Sequence, residues 1–227
     1  MATSGVDTYS PNQVTILKSA LELIGHIRPG GRPNAEDLDA CMAHLNAMLK
    51  SWSTLTAGIW LQDDVSITLV DGTASYTTPG RYHSIIEARV RDDDGYDRVL
   101  QLVGVQEYQE IPNKVTEGMP NMLYYQRTAT GGIVYTWPVI DDSGYTLELT
   151  VKRQLQDMIA YANTFDLPPE WMEAVTYGLA SRIGIIYGAD PNRMSQIKMQ
   201  AAESLQVAMW SDQEETSVFI QPEMGGF

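Results

Sequence analysis

Reactive and metal-binding side chains are scarce: the sequence holds one cysteine and three histidines in 227 residues. A single thiol, Cys41, has no partner for an internal disulfide, and it falls on the apolar stripe of an expected helix, so it reads as a core residue. His26, His44 and His83 are scattered, with no helical pair of His and no Cys-His set at ligand spacing, so no metal site is expected. Long apolar runs are missing as well. No stretch approaches the ~20 residues that a membrane span needs, and the opening MATSGVDTYS has neither the charged nor the apolar region of a secretion signal. The expectation is a chain made and used in a reducing cytoplasm.

Positive charge is the other scarcity. Fifteen Lys and Arg stand against 29 Asp and Glu, a net charge of -14, and no basic cluster runs along the chain, so specific duplex-DNA binding is not expected. No glycine-rich segment ends in Lys-Ser or Lys-Thr, so Pro29-Gly30-Gly31-Arg32-Pro33-Asn34 reads as a helix breaker, not a phosphate cradle. The run Asp92-Asp93-Asp94-Gly95-Tyr96-Asp97 lacks the alternating acids of a helix-loop-helix calcium site and reads as a solvated hairpin turn. Asp141 with Asp142, and Asp166 with Glu170, are neighbouring acids in a turn and at a helix start, where structural roles suffice. Neither an enzyme nor a cofactor is expected.

What is present is two kinds of periodicity in sequence order. Ile16, Leu17, Ala20, Leu21 and Ile24 form one helical stripe behind a cap near Ser10. Leu38, Cys41, Met42, Leu45, Met48, Leu49 and Trp52 form a second, opened by Asn34 and Asp37. These two helices can pack as an antiparallel pair. From Leu61 the period becomes two: Val65, Ile67 and Leu69, then residues 85–91, 99–103 and 123–127, with Asp71-Gly72 as a turn pair and a short helix or turn over 104–111. Residues 133–137 and 145–151 alternate on either side of Asp141-Asp142-Ser143-Gly144 and predict a hairpin. Pro168-Pro169 then open a helix with Met172, Val175, Leu179, Ile183 and Ile186 on its stripe and Gly188 as its stop. Asp190 and Pro191 open a last one, carrying Met194, Ile197, Ala201, Leu205 and Ala208. The expected fold class is α+β: a helical part built from both ends of the chain (1–60 and 156–212) carries an inserted, mostly antiparallel β domain (61–155), and an extended tail follows (213–227).

The order of these strings carries a resemblance. A strand ending in Trp137-Pro138, the string RQLQD, and DLPPEWMEAVTYGLASRIGIIYG, together with ALELIGHI and LDACMAHLNAMLKSWSTLTAGIW near the start, resemble the head-to-tail adaptor family of short-tailed bacteriophages, also called tail accessory or tail tubular proteins. The resemblance spans residues 15–205 and contains no catalytic signature. It implies a virion protein of the neck: a ring of twelve identical subunits docked under the portal protein, meeting the tail nozzle or tube on its other face. The ring would lengthen the DNA channel and hold the packaged genome, with no sequence-specific DNA contact and no membrane contact.

Candidate contacts follow. Val218, Phe219, Ile220 and Phe227 are apolar residues in the C-terminal tail and are the candidates for portal contact. Ala174, Gly178 and Ser181 form a small-residue strip that allows a close helix approach, within the chain or from a neighbouring subunit. Asp92 and Asp94 are the candidates for lining the DNA channel. Two other readings stay open: a glycan-binding module displaying Tyr124, Tyr125 and Trp137, and a cell-wall-degrading enzyme with a concave acidic site.

Overall fold

A computed structural model describes residues 11–55, 61–159 and 165–211. The chain divides into two compact units, one of residues 1–45 with 158–227 and one of residues 46–157. The α+β expectation holds, with helices at both ends of the chain and a mostly antiparallel middle.

In the first unit, helix α1 (Gln13–Ile24) buries Ile16, Leu17, Ala20, Leu21 and Ile24, the stripe that the sequence predicts. The expected cap at Ser10 lies outside the described residues; Asn12 caps the helix, its Oδ1 accepting from the Thr15 amide at 2.9 Å. At the other end Gly25, at φ 80°, lets the chain turn back so that the His26 amide donates to Leu21 O at 3.1 Å. Helix α2 (Ala35–Leu55) begins where Asn34 Oδ1 accepts from the Asp37 amide at 2.6 Å. The boundary between the two units falls inside α2.

Near the C-terminal end, Met172, Val175, Leu179 and Ile183 are buried on one side of helix α4 (Met172–Ile186). Ile186, predicted on that stripe, is instead 60% exposed because it stands in the last turn, where Tyr187 and Gly188 already leave the helix. Helix α5 (Pro191–Ser211) starts on Asp190, whose Oδ1 accepts from the Asn192 and Arg193 amides at 3.0 and 3.1 Å. The packing partners of α1 include α4, and α4 also packs on α5. Closeness is set by Gly184, where an added Cβ would run into Met194 of α5 and Ile24 of α1.

The second unit is a sandwich of two four-stranded sheets. One sheet has the order β1 (Gln62–Thr68), β8 (Thr146–Lys152), β3 (Ser84–Arg91) and β4 (Asp97–Val99), all antiparallel. The other has the order β2 (Ser75–Thr77), β7 (Gly132–Trp137), β6 (Met122–Arg127) and β5 (Gln101–Val103), with β5 and β6 parallel. Their inner faces share one apolar layer that includes Val65, Ala88, Leu147 and Leu149 from the first sheet and Tyr76, Leu123 and Val134 from the second. Helix α3 (Val105–Glu110) follows β5, so the segment 104–111, expected as a short helix or turn, is a helix.

Two strand expectations are corrected here. Residues 133–137 and 145–151 do form strands, but not a hairpin: β7 pairs with β2 and β6, and β8 pairs with β1 and β3. The connection between them is anchored elsewhere, Val139 N donating to Thr116 O at 2.8 Å and Ile140 O accepting from Gly72 N at 3.0 Å. Buried Val139 and Ile140 carry the chain from one sheet to the other. The run 99–103 is likewise split. Leu100 is buried and donates to Ala88 O at 2.8 Å, which leaves β4 in one sheet and β5 in the other.

The Gly184 contact gives a stability test. Gly184→Val should cost about 1–3 kcal/mol through overpacking against Met194 and Ile24. Thermal unfolding followed by circular dichroism should show a melting temperature lower by several degrees, and an unchanged one would mean that the helices can spread at no cost.

Candidate functional site

One group of titratable side chains sits in the first unit, where helix ends meet. Asp37 in the first turn of α2 has its Oδ2 3.1 Å from His26 Nε2, and its Oδ1 accepts from the Tyr187 hydroxyl at 3.0 Å. The His26 and Tyr187 rings lie 4.3 Å apart, and the Cys41 sulfur is within hydrogen-bond reach of the same hydroxyl. A nucleophile, a base and a carboxylate in one place invite a catalytic reading. The electrostatics favour a structural one. Burial, and after it the nearby Asp37 charge, push the Cys41 thiol up to about 11, so it holds its proton at neutral pH and its side chain is fully buried. Burial first, and then the bond to Asp37, also push the Tyr187 phenol well above its ordinary range. The group ties the end of α1, the start of α2 and the end of α4 together, and the expected core role of Cys41 agrees with it.

The grooves show no better chemistry. One of about 420 Å³ is lined by Ser19, Glu22, Leu23, Pro29, Glu173, Thr176 and Tyr177. Its Glu22 carboxylate is already used, accepting from the Gly30 amide at 2.9 Å and standing 3.7 Å from Lys18. Among the described residues no group of three or more His, Cys, Asp or Glu could hold a metal ion, and no helix is long and apolar enough to cross a membrane.

The aromatic side chains named for a glycan site are engaged in packing. Tyr124 stacks on Tyr135 at 5.6 Å and on Tyr108 of α3 at 5.2 Å, so α3 covers this face of the sheet. The Tyr125 hydroxyl accepts from Tyr82 N and donates to Tyr82 O, both at 3.1 Å. Trp137 Nε1 donates to Asn113 O at 2.9 Å. No open aromatic platform results.

Of the residues named for assembly, Val218, Phe219, Ile220 and Phe227 lie outside the described residues. Ala174 and Gly178 are buried in α4, and Ser181 is half-buried, its hydroxyl donating to Gly178 O at 2.8 Å. One turn later stands Gly184, where an added Cβ would meet Met194 and Ile24. Asp92 and Asp94 sit in the β3–β4 turn, where Asp92 Oδ1 accepts from the Asp94 and Tyr96 amides at 3.1 and 2.8 Å. Asp94 is exposed.

Sequence reasoning missed one feature, a cationic end on the sandwich. The β2-to-β3 connection crosses between sheets there: Arg81 Nε donates to Thr128 O at 3.1 Å, beside Arg127, and His83 N donates to Lys152 O at 2.8 Å. Lys50 of α2 reaches the same end, donating to Leu155 O at 2.6 Å and pairing with Asp157 at 2.9 Å. Burial first, and then the charges of Lys152, Arg127, Arg81 and Lys50, hold the His83 imidazole below its usual range. These cations are far apart in sequence, so only strand pairing brings them together.

Residues 18–221 match a family model described as SU10 adaptor protein. Among curated proteins none matches the chain. A solved structure described as the neck of an empty GTA particle, computed with C6 symmetry, is similar at 17% identity and a TM-score of 0.30, over 77% of this chain and 81% of that one.

Two measurements probe these groups. Cys41 should resist alkylation in the native protein at mildly alkaline pH and react readily in denaturant; fast native labelling would show that the thiol is neither buried nor protonated. For His83 the folded pKa lies below the unfolded value of 6.5. Below that pH the unfolded chain takes up a proton that the folded chain refuses, so stability falls as the pH falls. Between about pH 7 and about pH 5.5 the urea midpoint of the native protein should drop more than that of His83→Gln. Equal drops would mean that neither burial nor the nearby cations hold the His83 imidazole below its usual range.

Proposed function

This chain belongs to the SU10 adaptor protein family, and we propose that it works in the virion neck as a ring of identical subunits between the portal and the tail nozzle or tube. The observation that carries the reading is the family match, which runs over residues 18–221, through both units. The protonated, buried thiol and the committed carboxylates fit a protein whose work is geometric, not catalytic. Twelve subunits, the number that the resemblance implies, would match the ring to a portal of the same order. The ring would extend the channel, retain the packaged DNA and present a platform to the tail. A net charge of -14 suits such a passage, because a strongly basic lumen would hold the phosphate backbone in place.

In this reading Val218, Phe219, Ile220 and Phe227 reach the portal. An extended apolar run can add to a partner's sheet edge or lie in a groove. Ala174 and Gly178 are already buried inside their own unit, so contacts between subunits fall on other surfaces. Imaging of purified particles at moderate resolution tests the assignment: density for this chain should form a ring at the neck. Particles assembled with the chain ended after Ser211 should lose that ring while the shortened protein keeps its melting temperature. Density elsewhere in the particle would remove the reading, and full docking of the shortened chain would remove the tail's part in it.

A further inference from the structure

The β unit is polar from end to end. Three turns meet at one end: the segment after β1 with Asp71, the β3–β4 turn with Asp92, Asp93 and Asp94, and the β7-to-β8 connection with Asp141 and Asp142. They are adjacent in space. Gly72 N donates to Ile140 O at 3.0 Å, and an added Cβ on Gly144 would meet the Asp93 carboxylate. Asp71, Asp93, Asp94, Asp141 and Asp142 are exposed. Of the basic side chains near this end, Arg91 donates its Nε and Nη2 to Asp97 at 2.7 and 2.8 Å, and exposed Arg98 lines the same surface as Asp92, so the five exposed carboxylates outnumber the cations. The opposite end carries Lys50, Arg81, Arg127 and Lys152; Asp157 there is taken up by Lys50 and Asp63 stands opposite Val151, which leaves Arg81 and Arg127 as exposed cations. β3 runs between the two ends, and its eight residues span roughly 25 Å at the usual strand rise. That exceeds the Debye length of about 8 Å at physiological salt, so in solution the two ends are electrically separate surfaces.

We propose that the basic end of the β unit docks on the acidic end of the β unit in a second copy of this chain. This rests on the ring reading above. The choice of occupant follows from charge. A long polyanion laid on the basic end would also run over the surface of a chain with net charge -14. A second copy instead offers a compact cluster of exposed carboxylates that guanidinium groups can pair with. The contact joins two different patches, so it is heterologous, and heterologous contacts propagate in one direction until a ring closes. Asp92 and Asp94 thereby line a joint between subunits instead of the DNA channel.

The test is a charge exchange in the full-length protein, with side chains that carry no turn hydrogen bond replaced at the acidic end. One variant carries Arg81→Glu with Arg127→Glu, the other Asp94→Lys with Asp141→Lys. Self-association is followed by sedimentation velocity over a concentration series at low ionic strength, with negative-stain images of any oligomer. The native chain should associate, and added salt should weaken it. Each variant alone should associate roughly tenfold or more weakly, because like charges then face each other. An equimolar mixture should recover association, since both new junctions are complementary.

Circular dichroism of each variant checks that its fold is intact, and the recovery in the mixture cannot come from misfolded chains. If the variants form rings as well as the native chain does, the proposal fails while the ring reading stands. If the native chain forms no oligomer and no ring at the neck, both fail. A labelled DNA duplex that binds the native chain and is lost with Arg81→Glu and Arg127→Glu, with self-association unchanged, would overturn the proposal in favour of phosphate as the ligand.

Discussion

The β unit depends on one constraint: two sheets must share a single apolar layer, so every change of sheet has to carry the chain past that layer's edge. Leu69 and Ile140 are buried near these crossings, and Leu100 is buried where β4 hands over to β5. The backbone beyond them must satisfy its polar groups with turns, and turns favour Asp, Gly and Pro. Charge therefore collects at the two ends of the sandwich and not on its inner faces. The order of the strands decides which charge goes where. Turns after β1, β3 and β7 fall at one end, and those after β2 and β6 fall at the other.

Much of this was legible in the sequence where the interactions are local. The stripe Ile16, Leu17, Ala20, Leu21 and Ile24 names the apolar part of the buried face of α1, missing only buried Gln13, and the Asn34 and Asp190 caps open the helices that they predict. Leu147, Leu149 and Val151 are buried as their alternation requires. Partnership was not legible. A period of two says which face a residue occupies and is silent about which strand lies alongside, so β7 and β8 looked like the arms of one hairpin. For the same reason the run Val99-Leu100-Gln101-Leu102-Val103 read as one strand and hid the change of sheet at Leu100. The small-residue strip of α4 named Ala174 and Gly178, which are buried, but not Gly184 one turn beyond it, where Met194 and Ile24 also come close.

The candidate site was legible mainly by its negatives. Scattered histidines and a lone cysteine pointed away from chemistry, and in the fold His26, Asp37, Cys41 and Tyr187 converge as a joint between helix ends. Of the aromatic residues that could have formed an open binding face, Tyr124 stacks with Tyr108 of α3, while Tyr125 bonds to the Tyr82 backbone and Trp137 to Asn113 O, partners that strand periodicity does not reveal. The cationic end could not have been read from the chain, since Lys50, Arg81, Arg127 and Lys152 are separated by tens of residues and no two are sequence neighbours.

The state of Cys41 has a practical consequence for watching assembly. A sole native thiol that is inaccessible and protonated leaves the molecular surface chemically blank toward maleimides. A cysteine placed at any exposed position then becomes a unique attachment point for a fluorophore or spin label, with the native core kept as it is. Pairs of such labels on neighbouring copies would turn the distances between subunits into optical or magnetic signals.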